Sequence, residues 1–470
     1  MIKHARGFFV TDDAIVIIGC GAAGGSAAQF ARKTNRKTPV IIFEKGAYPQ
    51  YSKCGLPYAV EGIIQTPKHL IEFSEEWFEK AKIDLNLQTT ITEINPKNKK
   101  ITVKKNDNTS FEQTYKSLIL ATGASPTFPP IKNITDEHNK PVKGVFTVRT
   151  IDDAQNIIDY LPHTSRATIV GAGLIGLEMA DCLVQKKKKV TVIEALPHIL
   201  PMLDEDIAES IEKIIKDHLT LFTNHFALEI KTEKNTIKHV IIEDRSTRKT
   251  QAIPTDILIV ATGTKPEVTL AENIGCKIGP TGGIVVNNKS ETSVKDVYAV
   301  GDCTEYVDFV TKKPTPVGLG SIAVRQGIAA GTNAAGGTYL LPNGVLQTFT
   351  SVFFGIEIAA VGPMSEHFEK IDMVSGRLQG LSLPEYYPGG KPILMKTMVD
   401  VKTGRILSSQ AVGENAAQRI NTYATAILAG MDVDTFRKLE TAYAPPVAPT
   451  LDVVTLAADI ASMKRSRKNK

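Results

Sequence analysis

Cys54, in the run Tyr51-Ser52-Lys53-Cys54-Gly55-Leu56-Pro57-Tyr58, has the surroundings of a reactive thiol. A thiol attacks as its thiolate, and a helix N-terminus or a neighbouring cation lowers its pKa. Lys53 is adjacent, and Gly55 and Pro57 interrupt regular structure and start a helix at Pro57. These flanks predict a redox role; the competing role is that of a small buried core residue. Cys20, Cys182, Cys276 and Cys303 lie in or beside turns or in a helix and read as structural. The five cysteines are far apart, odd in number and without a CxxC pair. That excludes a disulfide framework and a cysteine zinc site, and no metal is expected.

Two glycine-rich runs carry a second chemistry, the binding of dinucleotide pyrophosphates. The first holds Gly19, Gly21, Ala23 and Gly24; a Val/Ile strand precedes it, a small-residue helix follows, and the next strand ends in Glu44, with Lys45 after it. The second holds Gly171, Gly173, Ile175 and Gly176; the helix LEMADCLVQ follows, and the next strand ends in Glu194. One glycine allows the tight turn, one lets the backbone approach a pyrophosphate, and one lets helix and strand pack closely. The helix N-terminus supplies free N–H groups to the phosphates, and the terminal glutamate accepts from ribose hydroxyls. Two copies in strand–turn–helix–strand–Glu context predict two dinucleotide sites. At the second, Glu194 repels a 2′-phosphate and Ala195 and Leu196 offer no arginine, which favours NADH over NADPH. The run Lys186 to Lys189 reads as a cationic helix C-terminus, with phosphate binding as the alternative.

The elements that must position these residues alternate strand-like and helix-like segments. That implies βαβ units in doubly wound sheets. The alternation starts twice, and both halves end in similar text. SLILATGASP contains Ala121, Thr122 and Gly123, and ILIVATGTKP contains Gly263. VYAVGDC then puts Gly301 and Asp302 at a sheet's carboxyl edge, where the chain returns to its first unit. A length of 470 residues suggests about three domains. The expected fold class is α/β, with two Rossmann-like dinucleotide-binding domains followed by an α+β segment. The expected spans are 11–149 and 273–344 for a split first domain, 150–272 for the second and 345–470 for the last. A net charge of +5 is small for this length and does not point to nucleic acid. The most apolar stretch, from Ala14 to Ala28, is too short and glycine-rich to span a membrane. No signal-peptide pattern opens the chain, so a cytoplasmic, reducing compartment is expected.

This order of motifs resembles the flavin- and nicotinamide-dependent disulfide reductase superfamily over nearly the whole chain. The resemblance implies an FAD domain, an inserted NAD domain and a C-terminal dimerisation domain, hence a homodimer. The two-cysteine branch of that superfamily has a partner cysteine five residues away, where this chain has Pro49 and Ala59. The match is therefore to the single-cysteine branch: coenzyme A disulfide reductase, NADH oxidase and NADH peroxidase. Those enzymes use the lone cysteine as a mixed disulfide with coenzyme A or as a sulfenic acid. Ala23 stands where peroxidases carry a histidine, which weakens that reading. Tyr386 and Tyr387 in PEYYPGGKP and Tyr443 in TAYAPPVAP resemble the two tyrosine regions of coenzyme A disulfide reductases, which come from the partner subunit. Glu178 resembles the glutamate near the nicotinamide carboxamide. Gln29, Arg32 and Lys33 are positioned as partners for coenzyme A phosphates.

Some residues depart from the family pattern. Gln50-Tyr51 replaces the common Ser-Phe, and Leu174 stands where relatives often have a tyrosine gate over the flavin. The basic tail from Lys464 is expected to be a frayed, solvated end, with binding of acidic partners as the weaker alternative. The implied activity passes a hydride from NAD(P)H through FAD to Cys54, which reduces coenzyme A disulfide or a related small disulfide, persulfide or polysulfide. The rivals are an oxidase reducing oxygen through a Cys54 sulfenate, a ferredoxin-type reductase with no need of Cys54, and a flavin redox sensor or binding protein.

Overall fold

Runs of Val and Ile with no polar alternation can only be satisfied by burial on both faces, and they form parallel strands. The computed structural model describes residues 13–138 and 140–469; residues 11–12 of the first expected span and Lys470 of the tail lie outside them. In the first sheet, strands Asp84–Asn86, Val40–Phe43, Ile15–Ile18, Ser117–Leu120 and Val297–Ala299 lie side by side, all parallel. In the second, Thr220–Phe222, Lys189–Ile193, Arg166–Val170, Ile257–Val260 and Val145–Phe146 do the same. The α/β class and the duplication are thus as expected. Each sheet has its topological switch beside the strand that feeds a glycine turn, where a doubly wound sheet opens a crevice. The edge strand Val145–Phe146 already belongs to the second sheet, so that unit starts ahead of residue 150.

The first sheet is completed by Val297–Ala299, which pairs with Ser117–Leu120 after the whole second unit has intervened. The two Ala-Thr-Gly exits then run antiparallel, Ala124–Pro126 against Thr264–Pro266, and tie the units together. Helix Ala22–Thr34 packs on helix Gly320–Ala334 at backbone contact. A Cβ on Gly327 would lie 2.3 Å from the Ala23 carbonyl oxygen, and one on Gly331 would lie 2.1 Å from that of Ala27.

The last part is a five-stranded antiparallel sheet, from Phe349–Phe353 to Met373–Leu381, covered by helices Ala416–Leu428 and Val453–Lys468. A buried ion pair, Arg419 Nη2 to Asp452 Oδ2 at 2.8 Å, joins the start of the second helix to the first. The expectation of a frayed tail is corrected here. The helix continues to Lys468 because its cations have partners: Lys464 donates to the Ser375 carbonyl, and Arg465 and Lys468 pair with Asp434 and Asp372. The Lys186–Lys189 run behaves as a helix end. Lys186 caps helix Leu174–Gln185, and Lys188 Nζ donates to the carbonyls of Leu161 and Thr164. Among the described residues no helix is long and apolar enough to cross a membrane.

Candidate active site

The two glycine turns repeat each other closely. Gly19 and Gly171 both have φ of +103°, a conformation glycine adopts without steric cost. A Cβ there would lie 2.3 Å from the Ala121 carbonyl oxygen in the first turn and 2.4 Å from that of Ala261 in the second. A Cβ on Gly24 or Gly176 would come within 2.0 Å of the carbonyl oxygen of Gly19 or Gly171. Gly21 and Gly173, by contrast, face open space and cap the following helices. An open cradle at a helix N-terminus is what a pyrophosphate requires.

The glutamates repeat as well. Glu44 accepts from Cys20 N–H and Gly46 N–H, both at 2.6 Å. Glu194 accepts from Ala172 N–H at 2.7 Å and Leu196 N–H at 2.8 Å. Each carboxylate is fixed at the rim of its turn and keeps further lone pairs for ribose hydroxyls. The donor set and the open cradles fit two dinucleotides.

A single cleft of about 2440 Å³ runs past both turns. Gly19, Gly21, Ala23, Glu44, Lys45, Ala121, Thr122 and Gly123 line its first half, with Gly301 and Asp302. Gly171, Gly173, Ile175, Glu178, Glu194 and Gly263 line the second. Gly24 and Gly176 lie behind the turns, where they pack helix on strand.

Cys54 opens onto the same cleft, in the short 3-10 turn Lys53–Gly55 ahead of helix Leu56–Glu61. It is the exposed cysteine of the five; the others are buried. The expected acid shift of its thiol is not what the surroundings produce. Although its surface is open to the cleft, desolvation by the surrounding walls pushes the thiol pKa up, Glu178 and Asp302 push it further, and Arg149 is the cation that opposes them. Lys53 is not among the groups that lower it, and burial and Arg149 push its own ammonium pKa down.

Arg149 and Ser351 are the site residues that sequence reasoning missed. Arg149 Nη2 pairs with Asp302 at 2.7 Å, and its Nε donates to the Ala124 carbonyl at 3.1 Å. It therefore holds the returning Gly-Asp turn against the first exit turn. Glu178 is half-buried rather than an exposed helix residue, and burial raises its carboxyl pKa. Ser351 Oγ, from the C-terminal sheet, donates to Glu178 Oε1 at 2.6 Å and pulls that pKa back down. Three residues on, Phe354 N–H donates to Asp181, one helical turn beyond Glu178. No local pattern marks these pairings, since the partners are far apart in the chain.

Gln50 is buried with its amide over Gly25, where a Cβ would lie 1.6 Å from Gln50 Oε1. Tyr51 and Leu174 both line the cleft. Tyr386 and Tyr443 lie outside the cleft, exposed, with their hydroxyls 2.7 Å apart. Tyr387 is also at the surface.

Gln29, Arg32 and Lys33 do not line the cleft. The Arg32 guanidinium is held by the carbonyls of Arg36, Thr38 and Lys82, so it fastens a loop. Lys33 bonds Gln29 and lies over the Phe30 ring.

Comparison with known proteins gives the same picture. The chain is 36% identical over 461 residues to the NADH oxidase of Methanocaldococcus jannaschii, covering 96% of this chain and 99% of that protein. It is 35% identical to the NAD(P)H sulfur oxidoreductase (CoA-dependent) of Pyrococcus abyssi, covering 95% and 97%. The structure of a NAD-dependent persulfide reductase from A. fulgidus superposes with a TM-score of 0.90 at 34% identity, over 96% of this chain and 84% of that one. The model of the pyridine nucleotide-disulphide oxidoreductases matches residues 13–327, and that of their dimerisation domain matches 348–454. With paired glycine turns, a shared cleft and both models matched in chain order, this protein belongs to the pyridine nucleotide-disulphide oxidoreductase family, whose members use FAD and NAD(P)H.

Proposed function

We propose that this chain is an FAD-dependent NAD(P)H:disulfide oxidoreductase in which Cys54 reduces coenzyme A disulfide or a related persulfide or polysulfide. The observation that carries the reading is Cys54 itself, the exposed thiol in the cleft that joins both glycine turns. The Pyrococcus abyssi relative, an NAD(P)H sulfur oxidoreductase (CoA-dependent), supports the same substrate class. The first turn, with Glu44, holds FAD, and the second, with Glu194, holds the nicotinamide dinucleotide. When bound, the flavin supplies the relay of two electrons from nicotinamide to thiol. Cys54 thiolate attacks one sulfur of RS–SR, forms a Cys54–S–S–R bond and releases RS⁻. Two electrons then cleave that bond to give Cys54 thiolate and a second RS⁻. The balance is NAD(P)H + H⁺ + RSSR → NAD(P)⁺ + 2 RSH. Arg149 and Asp302 hold the turn that faces the thiol.

The tyrosine pair Tyr386–Tyr443, with Tyr387 beside it, serves the partner's cleft in a homodimer and donates a proton to the leaving thiolate. Exposed Leu428, Leu439, Val447 and Leu451 in the last part of the chain support such an assembly. On this reading the stretch up to about residue 144, with 273–344, forms the flavin unit, 145–272 the nicotinamide unit and the stretch from 345 the dimer unit.

The test compares initial rates with coenzyme A disulfide, polysulfide and oxygen, alongside the intact mass before and after reductant. Disulfide or polysulfide rates at least about tenfold above the oxygen rate, with a reductant-labile coenzyme A adduct, are expected. Oxygen as the fastest acceptor, with no adduct, would overturn the reading in favour of the oxidase, which the name of the M. jannaschii relative favours.

Glu178 orients the nicotinamide amide, and Ser351 holds it in place and lowers its pKa against the upward push of burial. Ser351→Ala should raise the NADH KM about three- to tenfold, the weight of one net hydrogen bond of about 1 kcal/mol. Without the Ser351 donor the Glu178 pKa rises, so the acid limb of kcat/KM should move to higher pH. Ser351→Thr should restore both; an unmoved acid limb would remove Glu178 from this role.

A further inference from the structure

The second dinucleotide turn is followed by Ala195 and Leu196, neither of which can neutralise a phosphate. The fold brings a cation there from elsewhere. Arg245 follows the strand Thr236–Asp244, and its Nη1 donates to the Ala195 carbonyl at 2.7 Å. Its guanidinium lies over the Phe226 ring, 4.8 Å from the centroid. Phe226 is itself part of the cleft wall, with Leu196 and His225.

Backbone bonds hold this corner in shape. Asn224 N–H donates to the Leu196 carbonyl, His225 N–H to that of Glu194, and Arg245 N–H to that of Asn224, at 2.8, 2.9 and 3.0 Å. Guanidinium has five N–H donors in a planar fork, and the Ala195 carbonyl takes one. The nearby carboxylates are committed to backbone: Asp244 to Ser246 and Thr247 N–H, and Glu194 to Ala172 and Leu196 N–H. Among the described residues the contacts of the Arg245 guanidinium are thus a carbonyl and an aromatic face, with no carboxylate bound to it.

We infer that Arg245 is a specificity-determining residue that receives an adenosine 2′-phosphate, so that the second site takes NADPH as well as NADH. The inference rests on the second glycine turn being the nicotinamide dinucleotide site. Glu194 opposes a 2′-phosphate at the ribose, and Arg245, held on the carbonyl of the next residue, Ala195, offsets it with a bidentate donor. Sequence alone favoured NADH because the arginine comes from a hairpin about fifty positions away rather than from the loop after Glu194.

Calorimetric binding of adenosine 2′,5′-bisphosphate and of ADP to the flavin-loaded protein tests this. In Arg245→Ala the affinity ratio of bisphosphate to ADP should fall about tenfold, and in the native protein that ratio should shrink as salt rises. Arg245→Lys should retain part of it, as a point charge without the fork. The NADPH-to-NADH ratio of kcat/KM should fall in parallel. An unchanged ratio in Arg245→Ala, with ADP still bound, would overturn the role of Arg245 alone. Failure of both nucleotides to bind the native protein would overturn the assignment of the site as well.

Discussion

Cys54→Ser should abolish disulfide turnover while NADH still bleaches the bound flavin. The expected loss is about 1,000-fold or more, or about 4 kcal/mol of transition-state stabilisation. A hydroxyl fits the same space but cannot exchange with a disulfide, since the mechanism needs a sulfur nucleophile and a cleavable S–S bond. No other cysteine can replace it, because Cys20, Cys182, Cys276 and Cys303 are buried. Bleaching persists because the second glycine turn and Glu178 are untouched. The native thiol also has a pH signature. Its pKa is raised by burial, Glu178 and Asp302, so thiolate accumulates as pH rises. Alkylation of the reduced enzyme by iodoacetamide should therefore speed up through the alkaline range rather than level off near neutrality. Retained disulfide turnover in Cys54→Ser, measured against the native rate, would falsify the assignment of chemistry to this residue.

The parts of the site that were legible are those built from short spacings. The glycine turns, Glu44 and Glu194 lie within single βαβ units, so the geometry follows from a few consecutive residues and one strand length. The thiol was legible by position but not by its electrostatics. Lys53 looked like its activating cation because it is adjacent, yet the cation that lowers the thiol pKa is Arg149, brought in by its pairing with Asp302. Arg32 shows a related limit. A cation on the first helix can reach a phosphate or nearby carbonyls, and only tertiary packing reveals that three carbonyls already hold it. The basic tail looked disordered because its charge was read without Asp372 and Asp434, which lie far back in the chain. Ser351 is the clearest case of an unreadable contact, since a serine in a strand carries no signal of the glutamate it meets.

Valine placed at Gly24 and at Gly176 should separate the two dinucleotide sites. The turns are near copies, so each substitution makes the same clash in its own sheet. A Cβ at Gly24 would lie 2.0 Å from the Gly19 carbonyl oxygen and 3.1 Å from the Ala121 Cβ. At Gly176 the same distances, to Gly171 oxygen and Ala261 Cβ, are 2.0 and 3.5 Å. The obstacle is backbone, so the helix must move off its strand and the cradle at its N-terminus opens. Alanine is known at this motif position, whereas valine adds two methyl groups to an already filled space. Overpacking of this kind costs about 1–3 kcal/mol, and the misplaced helix N-terminus adds the loss of phosphate contacts. Gly24→Val should purify without flavin absorbance and be inactive. Gly176→Val should keep its flavin and its yellow colour, but the NADH concentration needed to bleach it should rise at least about tenfold. Circular dichroism and elution volume establish that each variant remains folded, and the flavin-to-protein absorbance ratio reads the first site independently of turnover. Loss of flavin from Gly176→Val with retention in Gly24→Val would reverse the assignment of the two turns. Equal flavin loss in both would mean that the flavin spans both cradles, because the two sheets share no backbone at the substituted positions through which one clash could open the other turn.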